Sequence, residues 1–146
     1  MLRTLGGVIV GYLVMAILIT IIFIAAFLVL GIERAFQPDS YEISALWIGI
    51  SLVIGFGSAI PGGYVCAAIS RNWRACQVLA VVVVVLGLLL CLPAIQRSNE
   101  GPNVRAGEIS AFQAMQLGVA PIWMHLLNPV LGAAGILLGA RMKKTL

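Results

Sequence analysis

His125 is the chain's single histidine, and Asn128 follows it about one helical turn on. A histidine at this spacing from an asparagine can relay a proton near neutral pH or help line a polar route. It can equally serve as structural glue, bonded to a neighbour's carbonyl or to Asn128. The other groups with chemical potential are three cysteines, Cys66, Cys76 and Cys91, and five acids, Glu33, Asp39, Glu42, Glu100 and Glu108. No Cys-x-x-Cys occurs, and one histidine with unpaired cysteines leaves no donor set for zinc or haem. The cysteines read as small apolar residues. No nucleophile–base pair is visible, so no enzyme, metal or cofactor is expected.

The elements that must position His125 and Asn128 are long and apolar. Charged residues make up only 10% of the 146, against roughly a quarter in globular proteins, and mean hydropathy is +1.10. A soluble domain of this size could not hide so much apolar surface. A soluble enzyme, a disordered chain and a disulfide-stapled module are thereby excluded. Four runs, about 5–32, 45–70, 76–95 and 111–140, each meet the ~20 residues a helix needs to cross the hydrocarbon. The run from Val81 to Val85 does not alternate, as a membrane β-barrel strand would. The fold expected is all-α, one transmembrane domain over residues 1–146 with four helices running up and down. The first run is too long for the core of a cleaved signal peptide, so it is expected to remain as an anchor.

Charge assigns the sides. Arg3, Arg71, Arg74, Arg141, Lys143 and Lys144 occupy the N-terminus, the second loop and the C-terminus, where no acid occurs. All five acids lie in the first and third loops. The positive-inside rule then places both termini in the cytoplasm. The net charge of +4 reflects this sorting and is no nucleic-acid footprint, because the basic residues never gather into a patch. The lipid bilayer is the first partner.

Inside lipid, helices associate through close packing, which requires small residues in register. The second run carries Ser51, Gly55, Ala59, Gly63 and Ala67, each four residues after the last, with Ser58, Gly62, Cys66 and Ser70 in a row beside it. The fourth run carries His125, Asn128, Gly132, Gly135 and Gly139 on one face. The second and fourth helices are expected to approach each other most closely, flanked by the first and by the third, which is expected to be the most lipid-exposed. The Arg71–Arg74 loop is so short that the second and third helices should be neighbours. Pro61 and Pro129 are expected to kink their helices, and Pro61-Gly62-Gly63 could even break one. Phe36, Tyr41, Trp47, Trp73 and Trp123 fit interfacial belt positions.

The segment Gly62-Gly63-Tyr64-Val65-Cys66-Ala67-Ala68-Ile69-Ser70-Arg71 resembles one found in small four-helix bacterial membrane proteins with no assigned activity. Leu126 to Gly132 and the Gly-Ala-Arg ending at Arg141 resemble the same group. The resemblance implies a bacterial inner-membrane location and transfers no functional residue. Four-helix multidrug exporters are similar in size, but depend on a glutamate in the first helix, and Val8–Leu30 contains none. The function expected is an accessory or scaffold subunit, or a small oligomer, acting through helix contacts with other membrane proteins or itself. The alternative is a passive channel or small-solute transporter with His125 and Asn128 along the route.

The charge sorting sets a direct test. On a background lacking native cysteines, Asp39→Cys or Asn103→Cys should react with an impermeant maleimide added outside intact cells. Asn72→Cys should react only after permeabilisation. Labelling of position 72 from outside would invert the topology.

Overall fold

Glycine–backbone contacts set the arrangement of the helices in a computed structural model that describes residues 2–38, 40–98 and 118–145. The described residues form helices α1 (Leu2–Leu30), α2 (Ile32–Ala35), α3 (Ala45–Ser70), α4 (Trp73–Ser98) and α5 (Ile122–Thr145), with no β-strand. All but the four-residue α2 are long and apolar enough to cross a membrane, as in a multi-pass membrane protein. Asp39, Glu100, Arg105 and Glu108 lie outside the described residues, as does the 111–117 stretch assigned to the fourth span.

α3 is the hub, meeting both α5 and α1 extensively. Its two rows of small residues face different partners. On one row, a Cβ at Gly63 would run into the Ile136 carbonyl of α5. On the α5 side, a Cβ at Gly139 would strike the Ile60 carbonyl, and one at Gly135 would lie 2.8 Å from the Ala59 side chain. On the other row, a Cβ at Gly11 of α1 would lie 2.8 Å from the Gly62 carbonyl oxygen, and one at Gly7 would lie 2.9 Å from Ser70 Cβ. Backbones this close gain dispersion contacts that no bulkier pair could make. A core of fully buried residues, including Ala59, Cys66, Cys76, Leu79 and Ile136, fills the end of the bundle near the α3–α4 turn.

That turn is two residues long and capped on both sides. Ser70 Oγ donates to the Cys66 carbonyl (2.7 Å), Arg71 takes the left-handed conformation at φ 51°, and Asn72 Oδ1 accepts from the Arg74 N–H at 3.0 Å. Nearby, the Arg141 guanidinium stands over the Trp73 ring and Lys143 over Tyr64. At the opposite end, Gly31 at φ +72° separates α1 from α2. Ser44 then starts α3, its Oγ accepting from the Trp47 N–H and donating to the Arg34 carbonyl.

Several expectations change. The fourth span starts at Ile122, not near 111. Residues 118–121 are not helical, and Val119 exchanges backbone bonds with Tyr41 and Ile43. Pro121 has no N–H and sits just before the first turn, where its carbonyl accepts from Met124. The first span stops at Leu30, two residues early, because Gly31 leaves the helical region. The third extends to Trp73–Ser98. Pro61 does not break α3, which is continuous through it. The short turn makes α3 and α4 neighbours where Cys66, Cys76 and Leu79 share a core, but α4 packs mainly on α5. Nor is α4 the most exposed helix. Only 6% of the most apolar stretch of α1 is buried, against 28% for α4, because α1 engages through a narrow glycine notch. Phe36 and Trp47 are no belt residues. They are buried, with the Trp47 ring edge-on to Phe23 and Phe27 at 5.6 and 5.5 Å.

The glycine contacts predict an ordering of variants. Gly63→Ala and Gly139→Ala must move backbone and should cost at least ~1–3 kcal/mol of stability in detergent. Gly49→Ala meets no neighbour and should be neutral or up to ~1 kcal/mol stabilising through helix propensity. Equal melting temperatures across the three would show that the α3–α5 seam is not tight.

Candidate functional site: an intramembrane cavity

Beyond the tight seam lies a cavity of about 330 Å³ lined by all four long helices. α3 contributes Ser51 and Gly55 to its wall, and α5 contributes His125, Asn128, Pro129 and Gly132. α1 closes one side with Tyr12, Met15, Ile19 and Phe23, and α4 the other with residues from Val83 to Cys91. One end abuts the packed core around Leu79 and Ile136. Towards the other end lies the aromatic cluster of Phe27, Phe36 and Trp47 with Met124.

Pro129 shapes the α5 wall. It has no N–H to give the carbonyl four residues back, which is that of His125. Cys91 of α4 supplies the missing donor, its Sγ lying 3.1 Å from the His125 carbonyl oxygen. The Pro129 ring also fills the space above Gly87, where a Cβ would collide with it. The α4–α5 contact thus rests on a proline that vacates a carbonyl, a thiol that occupies it and a glycine that admits the ring. Cysteine's role as a donor was missed at sequence level. The i−4 carbonyl of an intrahelical proline was the signal available.

The polar groups of the cavity are unevenly satisfied. Ser51 is 1% exposed, yet among the described residues its Oγ has no hydrogen-bond partner, and neither has the buried Asn128 Oδ1. Gly55, one turn beyond Ser51, lies beside that amide, with 3.6 Å from the place of its Cβ to Asn128 Oδ1. His125 is half-buried, and its ring makes no hydrogen bond among the described residues. Among the described residues, no three His, Cys, Asp or Glu side chains gather as metal ligands.

The small-residue rows therefore divide in function. Ala59, Gly63, Gly135 and Gly139 form the α3–α5 seam, while Ser51 and Gly55 belong to the cavity. Gly132 faces Val83 of α4 rather than α3, and Ala67 lies near the Arg71–Trp73 turn. Val83, on a stretch expected to face lipid, is instead turned inward against α5. No protein-family model, curated protein or solved structure matches the chain.

Unpartnered buried oxygens destabilise the bundle that holds them. Ser51→Ala and Ser58→Ala, whose Oγ atoms both lack a partner, should leave the melting temperature unchanged or raise it, by up to ~1–3 kcal/mol in stability. Ser70→Ala, which loses the bond to the Cys66 carbonyl, should cost about 1 kcal/mol. A clear loss on Ser51→Ala would reveal a partner at that oxygen.

Proposed function

We propose that the chain is a non-enzymatic protein of the bacterial inner membrane, with both termini cytoplasmic, acting as an accessory or scaffold subunit through helix contacts with another membrane protein or a second copy. The order of the contacts supports an up-down bundle. Gly7 pairs with Ser70 and Gly11 with Gly62, while Gly87 pairs with Pro129 and Val83 with Gly132. The basic ends of α3 and α5 then fall on one side, as the positive-inside rule requires.

The observation that carries the accessory reading is α1. It packs on α3 through Gly7 and Gly11 at one end and Phe23 and Phe27 at the other, and leaves a ridge of Leu5, Ile9, Leu13, Ile17 and Ile21 on its outer face. A helix packed on the bundle by one face only presents its other face, continuous and apolar, to a partner helix. A second reading, a passive route for small solutes, is favoured by the cavity with His125 and Asn128 in its wall. The filled core around Leu79 and Ile136 gives that cavity a blind end, which speaks for the accessory reading.

Photocrosslinking in living cells separates the outcomes. A benzophenone amino acid replacing Leu13 or Ile17 should give one discrete protein adduct, whereas the same residue replacing Leu89 on α4 should give none. Adducts of equal pattern from both helices, or lipid adducts alone, would overturn the reading.

A further inference from the structure

The cavity combines features that packing alone does not require. It is roughly twice the ~150 Å³ of an apolar cavity that holds one benzene ring. Among the described residues no Asp, Glu, Lys or Arg lines it, so a charged occupant would be uncompensated by them in a low-dielectric site. Ser51 Oγ and Asn128 Oδ1 are both buried, and both are without a partner among the described residues. Gly55 brings them onto one wall, since it follows Ser51 by one turn and lies beside the Asn128 amide. As the side chains stand neither oxygen is open to the cavity; turned toward it, the Ser51 O–H would donate to a bound hydroxyl and Asn128 Oδ1 would accept from the same group.

Access is lateral. α1 and α4 touch little, and their contact lies near Gly11 and Leu79, at the packed end. The aromatic cluster at the other end holds residues from α1, α3 and α5 and none from α4 among the described residues. The α4 side of the cavity is formed partly by Leu86 and Leu90, of which Leu90 is 71% exposed. The gap between α1 and α4 therefore faces the hydrocarbon, and a tail attached to an occupant can remain in the bilayer.

We propose that this cavity binds an uncharged, ring-sized amphiphile from the lipid phase, with a phenol-type hydroxyl held between Ser51 and Asn128. The site is independent of any partner on α1, so it stands or falls separately from the accessory reading.

The test uses the full chain in phosphatidylethanolamine–phosphatidylglycerol nanodiscs, with 4-hydroxybenzophenone as photoprobe and 4-methoxybenzophenone as the analogue without the donor. Labelling mapped by mass spectrometry should be saturable at cavity residues such as Met15 and Leu90, and should be competed by 4-benzylphenol. The methoxy analogue should need roughly tenfold more probe, the cost of one lost hydrogen bond. Gly55→Leu, whose Cβ position is unstrained but whose side chain fills the space, should abolish saturable labelling. Gly49→Leu, pointing at no neighbour, should not. Ser51→Ala should weaken labelling about tenfold without lowering the melting temperature, which separates a lost contact from a misfolded bundle. Unsaturable labelling spread over outward residues such as Leu2 and Val29 would overturn the site. Equal saturable labelling by both probes would overturn the assignment to Ser51 and Asn128.

Discussion

Everything in this bundle depends on the backbone-to-backbone approach of α3 to α5 and α1. Lipid supplies no hydrophobic force to press helix on helix, so contact area at short range must do so. Gly63 and Gly139 let the α3 and α5 backbones meet, and Gly7 and Gly11 do the same for α1 against α3. Each of these positions lacks room for one further carbon. The seam is short, however, and beyond it Ser51 and Gly55 come opposite His125, Asn128 and Pro129, where the cavity lies.

The α4–α5 contact solves a different problem. A proline inside a membrane helix vacates a carbonyl that hydrocarbon cannot satisfy. Here the vacated carbonyl of His125 meets the Cys91 thiol, and the proline ring settles over Gly87. Cost and remedy lie on different helices, so the pairing fixes the register of α4 on α5. It also turns the His125 and Asn128 side of α5 to the cavity. Ser51 Oγ and Asn128 Oδ1 in the cavity have no such remedy and are left without partners among the described residues.

The outer connection shows how local and tertiary effects divide. Ser44 is a conventional helix start. Less readable was that Phe36 and Trp47 would fold inward. Interfacial and core aromatics share one composition, and only the edge-to-face packing with Phe23 and Phe27 distinguishes them. The start of α5 was misplaced for a related reason. Apolar residues before Pro121 extend the hydropathic run, but Val119 pairs in extended form with the first loop.

Composition and period by themselves determined an all-helical membrane chain with four long apolar helices, because covering an ~30 Å hydrocarbon layer leaves few solutions for a backbone that must bond internally. The spacing of Ser51, Gly55, Ala59, Gly63 and Ala67 also marked α3 as a packing helix. Sequence could not tell which small residue would touch which helix. Row spacing repeats every turn, whereas the facing of each row depends on the angle and depth of helices elsewhere in the chain. Only the tertiary structure decided that Gly62 and Gly63 serve different partners, that α1 rather than α4 stands most exposed, and that Ser51 and Asn128 share a cavity wall. Those outcomes depend on residues from three or four helices meeting at one point, and no local pattern carries that information.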